Sequence, residues 1–133
     1  MVWKTELSDE PLISIVDDDR SFRDSLQRLL KSLGHVVKVF PSAADFLASA
    51  DVGNTDCLIA DINMPEMTGV ELHRRLIDTG FVIPTILITA YPDEAVRLRA
   101  LNDGVVCYLK KPFEESQLVH CLRLALAARK PVP

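Results

Sequence analysis

The sequence predicts a single α/β domain with a five-stranded parallel sheet and helices on both faces. Five short apolar runs alternate with longer segments in which apolar residues recur at helical spacing. The runs are continuously apolar, which is typical of strands covered on both faces. The length of 133 residues suits one domain. Right-handed crossovers between such strands give a parallel sheet sandwiched between helices.

The predicted strands and the first two helices follow from these patterns. Asp19 is expected to cap the first helix and Gly34 to end it, while Pro41 and Ser42 open a short second helix. The strands cover residues 12–16, 36–40, 57–60, 85–88 and 105–109. The apolar helix faces consist of Phe22, Leu26, Leu29, Leu30 and Leu33, then Phe46 and Leu47.

The last three helices have equally local signals. Thr68 and Glu71 have the spacing of a capping box, so a third helix is expected to begin there. Pro92 is expected in the first turn of a fourth helix, where Asp93 and Glu94 would face the positive end of its dipole. The core face of a fifth helix is formed by Leu118, Val119, Leu122, Ala125 and Leu126.

Composition excludes several classes of function. Fifteen basic and nineteen acidic residues give a net charge of −4, which disfavours direct binding of nucleic acid. No apolar run reaches the roughly 20 residues needed to cross a membrane. The three cysteines are widely spaced and form no CxxC pair, so a cytoplasmic protein without disulfides or zinc is expected.

Polar side chains collect where four of the predicted strands end. In parallel sheets the carboxyl ends of the strands lie at one edge, which is where ligands bind. The residues delivered there are Asp17, Asp18 and Asp19, Asp61 and Asn63, Thr89, and Lys110 and Lys111. Three carboxylates and one lysine leave an excess of about two negative charges, and oxygen ligands of this kind suit Mg²⁺. Any one acid alone is more simply a helix cap or a turn residue, but four strand ends together favour a site.

These residues resemble the receiver domain of bacterial two-component response regulators. The resemblance is carried by residues 16–19 (VDDD), 61–69 (DINMPEMTG), 89–90 (TA) and 108–113 (YLKKPF). It covers residues 10–128, with 1–9 as an N-terminal extension and 129–133 as a tail or linker stub. It implies a flavodoxin-like fold with strand order 2-1-3-4-5.

The resemblance also implies the roles of the site residues. Asp61 would accept a phosphoryl group from a phosphohistidine of a partner. Asp18, Asp61 and the backbone carbonyl of Asn63 would bind Mg²⁺ directly, and Asp17 would act mainly through water. A carboxylate nucleophile beside such a metal can form an acyl phosphate.

Three further residues would respond to phosphorylation. Thr89 would bond the phosphoryl group, and Lys111 would pair first with Asp61 and later with the phosphate. Tyr108 would be the aromatic switch, moving inward with Thr89. Lys110 would point elsewhere, and a cis bond is expected between Lys111 and Pro112.

The implied function is a phosphorylation-dependent signalling switch rather than an enzyme with its own substrate. Such a chain receives and slowly hydrolyses its own phosphoryl group. The expected partners are a sensor histidine kinase or a histidine phosphotransfer protein, and an output protein that binds the surface formed by the fourth helix, fifth strand and fifth helix. The same surface could serve a homodimer.

Two alternatives stay open from the residues alone. Asp17 and Asp19 form the D-x-D pattern of aspartyl-nucleophile phosphatases, although Ser21 stands where those enzymes have threonine or valine. An adaptor that is never phosphorylated is the other alternative, but the complete set of acids, threonine and lysine disfavours it.

A few residues outside the site carry smaller expectations. The large side chain of Tyr91 is hypothesised to shield the phosphoryl group and slow its hydrolysis. The three histidines, His35, His73 and His120, are expected on the surface and away from the site. Leu124 is expected to face away from the core, as an isolated exposed leucine or as part of a partner surface.

Overall fold

The protein folds as the predicted doubly wound α/β sandwich. The structure is a computed structural model and describes residues 10–129. The strands are β1 (Leu12–Val16), β2 (Val36–Phe40), β3 (Cys57–Asp61), β4 (Thr85–Thr89) and β5 (Cys107–Lys110). The helices are α1 (Arg20–Ser32), α2 (Ala43–Leu47), α3 (Gly69–Asp78), α4 (Glu94–Asn102) and α5 (Glu115–Ala128), with a 3-10 turn at Val52–Asn54.

The sheet has the expected strand order β2-β1-β3-β4-β5, and all strand pairs are parallel. Val16 pairs with Ala60, so β1 and β3 end side by side. Thr89 pairs with Lys110 at the ends of β4 and β5. This register brings the polar residues that follow the strands to one edge of the sheet.

Two apolar layers cover the two faces of the sheet. On one face, α1 and α5 pack against the sheet through Leu30 and Leu118, which are fully buried. On the other, α2 and α3 contribute the buried side chains of Phe46 and Leu72, and α4 contributes Ala100. The continuous apolar character of the strands therefore reflects cover on both faces, as predicted.

The predicted helix caps are present. The Asp19 side chain accepts from the backbone N–H of Phe22 and begins α1. Gly34 ends the same helix in a left-handed conformation, at φ +93°. Thr68 and Glu71 form both hydrogen bonds of a capping box at the start of α3.

Strands β3, β4 and β5 each end one residue later than predicted, and two boundaries differ in a more informative way. Pro92 lies before α4 rather than in its first turn, because Asp93 caps the helix by accepting from the N–H of Val96. Strand β5 begins at Cys107 instead of residue 105, because the N–H of Val105 is bonded to the carbonyl of Ala100 at the end of α4. The first error arises because the neighbouring residues Pro92 and Asp93 can each mark the start of a helix. The second arises because local apolar spacing does not show where a backbone hydrogen bond is redirected.

One of the three histidines was placed wrongly. His73 lies on the inner face of α3 and is only 7% exposed, whereas His120 is exposed and His35 is half-buried. Leu124 is exposed, as expected. Within residues 10–129, no helix has both the length and the apolar character needed to cross a membrane. The predicted N-terminal extension and nearly all of the predicted tail lie outside the described residues, so that division of the chain stays a prediction.

Candidate functional site

Three aspartates meet where β1 and β3 end. Asp17 and Asp61 are buried, at 1% and 5% exposure, while Asp18 is exposed. One carboxylate oxygen from each lies within 4.8 Å of the others. This cluster combines residues from two neighbouring strands, which is the juxtaposition that the sequence predicted.

The backbone after β1 holds Asp17 in place. The N–H of Asp19 donates to Asp17 Oδ1 at 2.9 Å, and the Arg23 guanidinium donates to the carbonyl of Asp17 at 2.8 Å. Arg23 belongs to α1, so the position of this carboxylate is tied to the helix that follows it.

Lys111 reaches the cluster from the loop that follows the edge strand β5. Its Nζ lies 3.1 Å from Asp17 Oδ2 and 3.2 Å from Asp61 Oδ1. Its backbone N–H donates to the carbonyl of Thr89 at 2.7 Å, which anchors the loop after β5 to the end of β4. Lys110 is exposed, and the peptide bond between Lys111 and Pro112 is cis, as the resemblance implied.

The charges of the cluster are unbalanced. Burial raises the pKa of Asp17 and of Asp61, and the ammonium of Lys111 only partly offsets this effect. Burial also opposes the charged form of Lys111, but its bonds to Asp17 and Asp61 outweigh burial and raise its pKa. A further cation would stabilise the ionised form of these buried carboxylates. A set of oxygen ligands that is partly open to solvent fits Mg²⁺. The residues present therefore fit the metal that the resemblance implied.

A bond between Thr89 and Asn63 went unnoticed in the sequence. The buried Thr89 Oγ1 accepts from the N–H of Tyr91 at 2.9 Å and donates to Asn63 Oδ1 at 2.6 Å. The hydroxyl is thus committed to the loop after β3. The two residues are 26 positions apart, so no local pattern announces the contact.

Tyr108 stands apart from the carboxylates. Its half-buried ring packs with the cluster of residues under α3 and α4, and its hydroxyl accepts from the N–H of Asp93 at 3.1 Å. Because Asp93 caps α4, this bond ties β5 to the start of that helix. Tyr91 is 75% exposed, so its ring projects into solvent beside the site.

Gly69 is required by the close approach of α3 to the end of β3. A Cβ at this position would lie 2.5 Å from the backbone oxygen of Asp61. Gly69 closes the 61–69 motif, but its role is not predictable from the sequence. Glycine is required here because the backbones of two residues eight positions apart lie too close for a side chain.

Comparison with known proteins assigns the family. Residues 13–123 match the model of the response regulator receiver domain, and the chain belongs to this family. It is accordingly a receiver domain of the two-component type, whose general function is switching by phosphorylation. Receiver domains generally bind Mg²⁺ at the acidic cluster that Asp17, Asp18 and Asp61 form here.

Among curated relatives, the chain is 38% identical over 117 residues to the response regulator protein TmoT of Ectopseudomonas mendocina. It is 38% identical over 113 residues to the transcriptional regulatory protein FixJ of Rhizobium meliloti. These matches cover 88% and 85% of this chain but 53% and 55% of the relatives. The chain thus spans about half the length of the curated relatives it matches.

Solved structures agree with the fold. The crystal structure of FixJ-N superposes with a TM-score of 0.83 at 36% identity, over 92% of this chain and 98% of the other. The response regulator StyR gives a TM-score of 0.84 at 37% identity, over 90% of this chain and 61% of the other. The predicted family and strand order are therefore confirmed.

Proposed function

We propose that this chain accepts a phosphoryl group on Asp61 in a Mg²⁺-dependent reaction and passes the resulting change to an output partner. The observation that carries the proposal is the position of Lys111 Nζ, which contacts Asp61 and Asp17 in a cluster with excess negative charge. A merely structural ion pair would need one carboxylate rather than three.

The reaction begins with attack by a carboxylate oxygen of Asp61 on the phosphorus of a partner's phosphohistidine. An O–P bond forms as the P–N bond breaks, and the electron pair of that bond returns to the imidazole nitrogen. Asp18, Asp61 and the carbonyl of Asn63 would hold the metal, with Asp17 acting through water. The metal supplies stabilisation of the charge on the transferring oxygens. Lys111 contributes a second positive charge beside the same oxygens.

Phosphorylation then changes which contacts are available. It adds roughly one negative charge and three acceptor oxygens at Asp61. Thr89 would leave Asn63 to donate to the phosphoryl group, and Lys111 would follow the same oxygens. Contacts made in only one state shift a two-state equilibrium, whereas contacts equal in both states do not. Tyr108 would report the shift through its bond to the start of α4.

The decisive experiment is intact-mass measurement after incubation with Mg²⁺ and a small acyl phosphate donor. We expect one labile phosphoryl adduct on the wild type, and none on Asp61→Asn or in samples without divalent metal. An adduct that persists in Asp61→Asn would mean that another carboxylate is the acceptor. Folded protein that binds Mg²⁺ but forms no adduct from the donor or from a phosphorylated histidine kinase would instead indicate an adaptor.

The phosphatase alternative has its own readout. Continuous release of phosphate from an aryl phosphoester, at a rate that depends on Asp17 but not on Asp61, would indicate that enzyme class. We expect no such turnover, because transfer to Asp61 retains the phosphoryl group, and phosphate leaves this chain only by slow hydrolysis of the acyl phosphate.

We propose that the exposed ring of Tyr91 slows hydrolysis of the phosphoryl group on Asp61. We expect Tyr91→Ala to shorten the lifetime of the phosphorylated form without changing the rate of its formation. An unchanged decay rate, measured by mass after removal of the donor, would argue against a shielding role.

A further inference from the structure

We infer that the aromatic ring of Phe22 seats the ammonium of Lys111, which makes Phe22 a positioning residue for phosphoryl transfer. The inference rests on the proposed function, because it concerns the lysine that pairs with Asp61. It adds a second contact from α1, beside that of Arg23, to a site otherwise built from the ends of the strands.

The geometry of the ammonium group suggests this role. Lys111 Nζ lies 4.0 Å from the centroid of the Phe22 ring, well inside the range of about 6 Å for a cation–π contact. The same nitrogen bonds Asp17 and Asp61. One N–H of the ammonium donates to Asp17 Oδ2, and Asp61 Oδ1 forms an ion pair with the same nitrogen. The face of the Phe22 ring lies against the same nitrogen. The ammonium group is therefore surrounded by two carboxylates and one aromatic ring.

The ring itself is held by its neighbours. Phe113 packs edge-on against Phe22, with ring centroids 6.1 Å apart and planes at 84°. The backbone N–H of Phe22 is bonded to the side chain of Asp19, which begins α1. Phe113 lies two residues after Lys111, so the loop that carries the lysine also carries the residue that supports its aromatic seat.

The contact between the Phe22 ring and the ammonium of Lys111 is an electrostatic attraction. The side chain of Lys111 is only 17% exposed, and burial is the largest influence opposing its charge. The negative face of an aromatic ring attracts a cation that has lost part of its hydration. Leucine could fill a similar space, but it has no such face. The ammonium would then be held by its two carboxylates alone and would gain freedom to turn towards Asp17 and away from Asp61.

A packing role makes a different prediction, since Phe22 and Phe113 also contact the core layer beneath α1 and α5. The test must therefore change the charge distribution of the ring without changing its shape. Replacement of Phe22 by mono-, di- and trifluorophenylalanine withdraws electron density from the ring face and leaves its volume nearly constant. The matched control places trifluorophenylalanine at Phe46, which is fully buried on the opposite face of the sheet.

The readout is the initial rate of phosphorylation by a small acyl phosphate donor at saturating Mg²⁺. We expect the rate to fall stepwise with each fluorine at position 22, and to be unaffected by the fluorinated Phe46. Phe22→Tyr should remain close to wild type, and Phe22→Leu should be slower by about tenfold, the change of one decade in rate expected for a partly desolvated contact. Thermal midpoints measured alongside identify any variant that is simply unfolded.

A second measurement separates this inference from the proposed function. In the wild type, the ε-methylene protons of Lys111 should show a ring-current shift in the NMR spectrum that Phe22→Leu removes. Absence of that shift, or a rate independent of fluorine number, would overturn the inference. A wild-type protein that shows the shift but is never phosphorylated would refute the proposed function while upholding the placement of the ammonium.

Discussion

At the residue scale, Asp17 shows how the fold maintains an unfavourable charge. It is almost fully buried beside Asp61, and burial is the main cause of its raised pKa. The folded state therefore holds a proton at Asp17 more readily than the unfolded state does. By linkage, the ionised form of this group lowers the stability of the metal-free protein at neutral pH.

Asp17→Asn should consequently raise the thermal midpoint at pH 7 in the absence of divalent metal. Mg²⁺ should stabilise the wild type more than the variant, because a ligand that binds only the folded state adds stability by mass action. Both quantities can be measured by calorimetry with chelator and with Mg²⁺. Asp78→Asn removes the same charge from an exposed position at the end of α3 and should change the midpoint little. A metal-free Asp17→Asn protein that melts below the wild type would contradict this reasoning.

At the element scale, the junction of β3 and α3 leaves no room for a side chain. We expect Gly69→Ala to cost about 1–3 kcal/mol of stability, the usual penalty for overpacking a close contact. The added Cβ would meet backbone atoms of Asp61, which cannot rotate away. The same shift should slow phosphorylation, because it displaces Asp61, the proposed acceptor.

Chemical denaturation and the phosphorylation rate test these two effects together. Gly53→Ala is the matched control, because the nearest atom to its added Cβ is a ring carbon of Phe81 at an ordinary 3.8 Å. Equal stability of the Gly69→Ala and Gly53→Ala proteins would show that the junction is more adaptable than its geometry indicates.

Helix α3 also carries a buried titratable group. Burial lowers the pKa of His73. The negative charge of Asp103 opposes this shift, and the positive charge of Arg74 adds to it. Arg74 and Asp103 themselves form a 2.6 Å ion pair that joins α3 to the end of α4. As pH falls below about 6.5, the unfolded chain takes up a proton before the folded one does. Stability contributed by neutral His73 is therefore complete above that pH and is lost below it.

His73→Gln should flatten the fall in stability between about pH 7 and pH 5, where an unfolded histidine becomes protonated. The exposed His120 supplies the control, and His120→Gln should keep the wild-type profile. Denaturation midpoints of the three proteins, measured across that pH range, test this prediction. Parallel profiles for wild type and His73→Gln would mean that the histidine is protonated equally in both states.

The same elements show what a sequence can and cannot predict. Caps such as Asp19 and Thr68 were predicted because the signal lies within three or four residues. The acidic cluster was predicted because parallel strands end at one edge, so strand order alone brings Asp17 to Asp61. His73 was misplaced because one helical turn does not reveal how wide its buried face is. The bond from Thr89 to Asn63, the ring beneath Lys111 and the contact at Gly69 depend on tertiary packing that no local pattern encodes.

At the scale of the whole molecule, the surface of α4, β5 and α5 is the proposed output face. Leu98 on α4 and Leu124 on α5 are exposed, at 55% and 45%. Tyr108 lies in the strand between these helices and is bonded to the cap of α4. In the proposed mechanism, a change at the site would reach this face through β5.

Leu124→Arg should leave phosphorylation of Asp61 intact and reduce association of the phosphorylated chain with its partner or with a second copy. Sedimentation of the phosphorylated protein measures self-association, and pull-down with the output partner measures the other case. Ile77→Arg is the control, because Ile77 is 44% exposed on α3, away from this face. Identical behaviour of Leu124→Arg and wild type in both assays would remove Leu124 from the output surface.

The strand order also has a consequence during synthesis of the chain. Asp17 and the lysine that bonds it are 94 residues apart, and β5 is both the last strand of this sheet in chain order and one of its edge strands. A nascent chain that has released β1 to β4 already carries all three aspartates but lacks the ammonium that pairs with them. Under the proposed function, competence to receive a phosphoryl group would therefore be acquired only when β5 and Lys111 complete the sheet.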